Sequence, residues 1–288
     1  MTTRKPIAVA TNDSAQSRAA VQWAARRAQR EGLPLLIVHV VDDRWVAEPY
    51  PFIGVLEEAG QKLLESAAVR VRESVTVPVS TKLLTGSVSG SLAKFSGKAS
   101  LMVIGSGTFH LGGTLADRAL QLAASSKVPV AVVGVQDLEG RSGVVVGVDG
   151  SKESTQAVAF AAAEADREGD ELTVVYSVSA PDPVADAGLT AGNLAEFMVA
   201  EERVVLSETV AGLRQDYPDL RVRQVLETGK GPVEALVDAA SNARMLVAGS
   251  RGRGGIKRLL LGSTVHGVLK HLPCPTVITR IDDTKNKI

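Results

Sequence analysis

The sequence predicts two tandem copies of an open, twisted α/β domain, each with about five parallel strands and helices on both faces. Three observations predict it. The chain has 288 residues, which is long for one hydrophobic core and suits two domains of about 140 residues. Its two halves resemble each other position by position. Within each half, short β-branched runs alternate with segments of helical period, the pattern of a parallel sheet with crossover helices.

The repeat is legible at several points. Residues 7–27 (IAVATNDSAQSRAAVQWAARR) match residues 144–164 (VVVGVDGSKESTQAVAFAAAE), with Asn12 on Asp149 and Val21 on Val158, an offset of 137. Leu35–Val40 and Leu172–Ser177 keep that offset. Leu101–Ser106 falls on Met245–Ser250 at an offset of 144, and Val128-Pro129-Val130 on Cys274-Pro275-Thr276 at 146. So long a period marks a duplicated domain rather than a repeat array. The expected domains are residues 1–139 and 140–288.

In the second copy, Val144–Val148 is continuously apolar and reads as a strand buried on both faces. Ser151 is its N-cap candidate for an Ala-rich helix over Thr155–Arg167, which Gly169 closes. Leu172–Val178 is the second strand. A Pro/Ala/Gly-rich loop, residues 180–192, leads to a long helix near Asn193–Leu213. Arg221–Leu226 alternates and reads as a strand nearer an edge. Pro232–Ala240 starts with proline, as first helical turns tolerate. Met245–Ala248, a helix over Ser263–His271 and Thr276–Thr279 complete the unit. The last strands, Val130–Val135 and Thr276–Arg280, are apolar and are expected at sheet edges, which invite pairing.

Composition excludes several function classes. The formal net charge is zero, so no global field draws nucleic acid or anionic lipid. Aromatics are 3% of residues, leaving few stacking platforms for single strands. No run approaches the roughly 20 apolar residues of a membrane span, and residues 1–10 lack a signal pattern. The lone cysteine, Cys274, reads as a small buried filler. A cytoplasmic protein without nucleic-acid or membrane partners is expected.

Ligands in parallel sheets bind beyond the strand C-termini where strand order reverses, so the loops after strands one and four matter most. After strand four, residues 249–264 read GSRGRGGIKRLLLGST. Gly249 and Gly252 allow sharp turns that expose N–H groups to an anion. Gly262-Ser263-Thr264 opens a helix whose unpaired N–H groups and dipole attract phosphate. Ser263 is a candidate cap and hydroxyl donor. Arg251, Arg253, Lys257 and Arg258 add local positive charge. The plainer alternative is a solvated glycine loop. The segment is neither a P-loop nor G-x-G-x-x-G, and one RGG-like stretch in a neutral domain is a poor nucleic-acid signal. After strand one, Asp149 either reaches a ligand or shapes the turn into the next helix.

Gly249-x-x-Gly252, nine residues, then Gly262-Ser263 resembles the G-2x-G-9x-G-S/T ATP-binding motif of the universal stress protein family. Val148-Asp149-Gly150-Ser151 is similar to the family's first-strand signature, and Pro273-Cys274-Pro275-Thr276 to its last-strand entry. The resemblance covers both halves, as in the tandem members common in actinobacteria. It implies an adenine-nucleotide alpha-hydrolase-like fold with the last strands of the two domains pairing. It also implies bound ATP, Mg²⁺ arriving with the triphosphate, and assembly into a homodimer or higher oligomer. Asp149 would then approach adenine or ribose, with Gly147 and Val148 lining the base and Ser177 at its edge. Ala248, Gly249, Arg251 and Gly252 would hold ribose and phosphates, and Gly262, Ser263 and Thr264 the triphosphate.

The first copy departs from this pattern. Counting back from the last-strand proline, Ala116-Asp117 takes the place of Gly262-Ser263, with Asp117 as cap and a carboxylate where phosphate would sit. Asn12 replaces Asp149, with Asp13 beside it able to take that role. Gly105-Ser106-Gly107-Thr108-Phe109-His110 lacks the basic cluster. The expected function is a nucleotide-dependent regulator or sensor of stress adaptation that acts on an unknown protein partner and uses mainly the second copy. The alternatives are a slow ATPase or nucleotidyl-transferring enzyme and a structural module without ligand. The histidines His39, His110, His266 and His271 are scattered, and no catalytic constellation or metal set stands out.

Overall fold

The computed structural model describes residues 4–45, 51–106, 115–178, 191–252 and 261–280, with backbone only at residues 45, 51–52, 115–118 and 191–198. Contacts divide the chain into two compact units, one running through Asp137 and the other starting at Leu138. The first contains β1 (Ile7–Ala10), α1 (Ala15–Glu31), β2 (Leu35–Val41), α2 (Pro51–Arg72), β3 (Val79–Thr85), α3 (Val88–Ser96), β4 (Leu101–Gly105), α4 (Leu115–Ser125) and β5 (Val130–Val133). The second contains β6 (Val144–Val148), α5 (Lys152–Glu168), β7 (Leu172–Ser177), α6 (Ala191–Ala211), α7 (Leu213–Asp216), β8 (Val222–Glu227), α8 (Pro232–Ala239), β9 (Met245–Gly249), α9 (Ser263–His271) and β10 (Thr276–Thr279).

Both units are doubly wound parallel α/β sheets, as the strand–helix alternation predicts. Strand order is β3-β2-β1-β4-β5 in the first and β8-β7-β6-β9-β10 in the second. The first strand of each unit pairs on both sides: Ile7 stands opposite Leu35 and Leu101, Val144 opposite Leu172 and Met245. Strand order therefore reverses beside β1 and beside β6, opening a crevice at their C-terminal ends. β1 is apolar and buried, as a strand covered by helices on both faces must be. β8 is half exposed at the margin of its unit, as its alternating sequence implies.

Local signals set the first helix of each unit. Ser14 Oγ accepts the Ser17 N–H at 3.2 Å, and Ser151 Oγ accepts that of Ser154 at 3.1 Å. Such caps contribute about 1 kcal/mol each. Gly32 and Gly169 end these helices in the left-handed region, at φ 60° and 66°. Two helices differ from expectation. The long helix of the second unit stops at Ala211, and Gly212 separates it from the short α7. α4 begins at Leu115, so Asp117 lies within the first turn instead of capping it. Aspartate is favoured both at a helix cap and in a first turn, so the residue type alone does not fix the helix start.

Cys274 is fully buried in the second core, among residues such as Val145, Leu246 and Val268. Burial, partly opposed by Arg141 and a backbone hydrogen bond from Leu246, pushes its thiol up to about 12 from an ordinary value of 9.0. The folded state thus holds the proton more tightly than the unfolded chain. The resulting stability is complete below about pH 9 and is lost as pH rises toward 12. At pH 10 the loss amounts to about 1.4 kcal/mol. Urea midpoints of wild type and Cys274→Ala at pH 8 and pH 10 check this: the wild type should lose more, and equal losses would refute it.

Candidate functional site

The crevice beside β6 holds a cavity of about 340 Å³, within the range of small-molecule sites. Strand ends form its floor, and the start of α9 and residues 249–252 form its walls. All eleven residues singled out in the second copy line it: Gly147, Val148, Asp149, Ser177, Ala248, Gly249, Arg251, Gly252, Gly262, Ser263 and Thr264. Residues 253–260, including Arg253, Lys257 and Arg258, lie outside the described residues.

Asp149 shapes the turn as well as lining the cavity. Its Oδ1 accepts the Ser151 N–H at 3.0 Å and the Ser151 hydroxyl at 2.6 Å. Gly150 follows at φ 76°, the left-handed geometry glycine adopts without strain. The other carboxylate oxygen faces Gly252, where any Cβ would fall well inside van der Waals contact distance of Oδ2. Glycine at 252 therefore lets the loop after β9 close against the end of β6. Gly249 serves packing: a Cβ there would sit 2.9 Å from the Glu153 backbone in the first turn of α5. At Gly147 a Cβ would meet Leu236 Cδ1 at 2.9 Å. Ser177 donates its hydroxyl to the Lys230 carbonyl at 2.7 Å, tying the end of β7 to the turn before α8.

The phosphate-side wall differs from the sequence reading in one respect. The cap of α9 is Gly262 (φ −69°, ψ 151°), with no side-chain cap bond, and Ser263 is the first helical residue. The Gly262 N–H donates to the Ser250 carbonyl at 3.0 Å, and the Ser250 N–H to that of Thr279 at 2.9 Å. Both ends of the loop are thus pinned. The next three amides, of Ser263, Thr264 and Val265, are the helix-start donors that lack an i−4 partner by geometry. Ser263 is exposed on the cavity rim, so its hydroxyl serves a ligand better than it serves the helix.

Sequence reasoning missed several lining residues, among them Ser154, Val175, Pro232, Leu236, Leu261 and Val265. Leu236 and Val265 read as ordinary core positions of amphipathic helices. Only the fold shows that their buried face ends at a cavity.

The equivalent crevice of the first unit holds a cavity of about 90 Å³. Ala10 stands where Gly147 does, and Val40 where Ser177 does. Asn12 repeats the Asp149 turn, its Oδ1 accepting the Ser14 hydroxyl at 2.7 Å. Asp13 does not take the Asp149 role. It occupies the Gly150 position at φ 59°, which turns its carboxylate away to Arg70 at 2.6 Å and Arg18 at 3.5 Å. His39 donates from Nδ1 to the Thr11 carbonyl at 2.7 Å, the bonding of a structural histidine. Residues 107–114 and the side chain of Asp117 lie outside the described residues. Among those described, no group of three or more His, Cys, Asp or Glu side chains is arranged to hold a metal. No helix among them is long and apolar enough to cross a membrane.

The universal stress protein family profile matches residues 3–134 and again residues 141–280. A universal stress protein of Mycobacterium tuberculosis, Rv2005c, is 32% identical over 95% of this chain and 96% of its own length. One from Mycolicibacterium smegmatis is 31% identical over the same shares. Among solved structures, a universal stress protein from Archaeoglobus fulgidus has the same fold, with a TM-score of 0.72 at 19% identity and 97% coverage of both chains. With the profile matched in both halves and relatives alike over almost their whole length, the chain belongs to the universal stress protein family.

Proposed function

We propose that the second unit binds ATP and that the chain works as a nucleotide-dependent regulator in stress adaptation, acting through its assembly and a protein partner. One observation supports this above the others: residues far apart in sequence converge on one 340 Å³ cavity at the strand-order reversal, with the amides of α9 along its wall. The apolar side chains Val148, Val175 and Leu236 suit a planar base. Ser177 supplies a hydroxyl at the cavity edge. Arg251, Ser263 and the α9 amides suit phosphates. In this reading Mg²⁺ travels with the triphosphate.

Binding without efficient catalysis is the expected behaviour. Asp149 is the one carboxylate among the described lining residues, and its Oδ1 already accepts two hydrogen bonds from Ser151. In the first unit, Ala10 and Val40 narrow the crevice, so this unit is proposed to act as partner rather than site. Nucleotide released by heat from freshly purified protein, quantified by chromatography, tests both statements. One adenine nucleotide per chain is expected. None would reject the second site, and two would reject the asymmetry.

A further inference from the structure

Beside its crevice, with which it shares Thr11, the first unit carries a groove of about 630 Å³ between α1 and α2. Its α1 wall is a ladder: Arg18, Gln22, Arg26 and Arg30 recur every fourth residue and all are exposed. At 1.5 Å per residue they span about 18 Å. Arg70 on α2 faces them, and the floor between is aliphatic, with Val21, Ala25, Ala67 and Val71. Among the described residues lining the groove, none is acidic. Asp13, at its end, pairs with Arg70 and Arg18, and Glu31 with the buried Arg27 at 2.7 Å.

The duplication supplies the comparison. At the same offset of 137, α5 places Thr155, Ala159, Ala163 and Arg167 where α1 has Arg18, Gln22, Arg26 and Arg30. The ladder is therefore not required by the fold. Neutrality of the whole chain conceals it: 15 Lys and Arg stand against 11 Asp and Glu through Asp137, and 17 against 21 from Leu138 onward. The excess positive charge belongs to the unit whose crevice is narrowed.

We propose that this groove docks an acidic amphipathic helix of a partner protein. A helix with carboxylates every fourth residue offers one about every 6 Å, which matches Arg26 and Arg30 and, one rung skipped, Arg18. Its apolar stripe would cover the aliphatic floor, the usual mode of helix-in-groove recognition. Arginine favours planar, two-pronged contacts with carboxylates. Single-stranded RNA fits less well, because none of the described lining residues is an aromatic that could stack on a base.

The test uses the full chain and a fluorescein-labelled amphipathic peptide of roughly 16 residues, with Glu at every fourth position beside a Leu/Ala stripe. Binding is read by fluorescence anisotropy at low salt. Saturable binding is expected, weakening as salt rises. Arg26→Glu with Arg30→Glu should weaken it about tenfold, since exposed pairs are individually modest and two are reversed. Asp13→Gly removes the competing carboxylate, permits the left-handed backbone, and should tighten binding severalfold. Absence of saturable binding to the wild type would overturn the proposal. So would equal affinity for a Lys-for-Glu peptide, indifference to the Arg26/Arg30 reversal, or tighter binding of an RNA oligomer of equal charge. Self-association of the chain that competes with the peptide and is lost on the reversal would overturn it in favour of a second copy as occupant.

Discussion

Ser263→Asp should remove nucleotide from the second unit without harming its fold. Ser263 is exposed, on the cavity rim, and first in helix α9. A carboxylate there suits the helix dipole, so stability should hold or rise slightly. A phosphate meeting that carboxylate at ~4 Å, with an effective dielectric of about 20, is repelled by about 4 kcal/mol. That is a loss of roughly three orders of magnitude in affinity. Ser263→Ala, which removes one hydroxyl donor, should cost only about tenfold. Titration calorimetry with Mg-ATP, beside circular dichroism, separates the cases. Equal affinities for the Asp and Ala variants would refute the electrostatic argument.

The second large effect concerns packing. A Cβ at Gly105 would sit 2.6 Å from the backbone carbon and oxygen of Gln16 and 2.7 Å from the Ser17 nitrogen. Backbone atoms cannot swing aside as a side-chain end can, so α1 must lift from β4. Forcing a methyl group into such a place costs about 1–3 kcal/mol, and the tightness puts Gly105→Ala at the upper end. A drop of roughly 6–12 °C in the melting temperature is expected from a unit of this size. Gly249→Ala, with 2.9 Å to the Glu153 backbone, should cost less stability but also disturb the cavity it lines. Calorimetry of both variants checks the order. A Gly105→Ala shift smaller than that of Gly249→Ala would contradict it.

Much of the fold is legible because its signals are local. α9 starts at Ser263 and ends at His271 as read, and Gly169 terminates α5 in the left-handed region. The cavity lining follows from loop position, since glycines and a helix start after strand four must face the strand-order reversal. What escaped the sequence depends on distant partners. Gly262 rather than Ser263 caps α9, because its N–H is already drawn to the Ser250 carbonyl. Asp13 takes a backbone conformation normally left to glycine, and its carboxylate finds Arg70, 57 residues away. Gly249 and Gly252 look like loop flexibility in the sequence. In the structure they are points of close approach, to Glu153 and to Asp149.

Cys274 has a consequence for how the molecule can be watched. It is the only thiol in the chain, and it is buried in the core that includes Val175 and Leu236, two of the cavity's own lining residues. A thiol reagent can reach it only when that core opens. The rate of its modification is therefore a clock for the opening of that core, needing no added label. Anything that occupies the cavity and binds only the closed form must slow that clock in proportion to its occupancy.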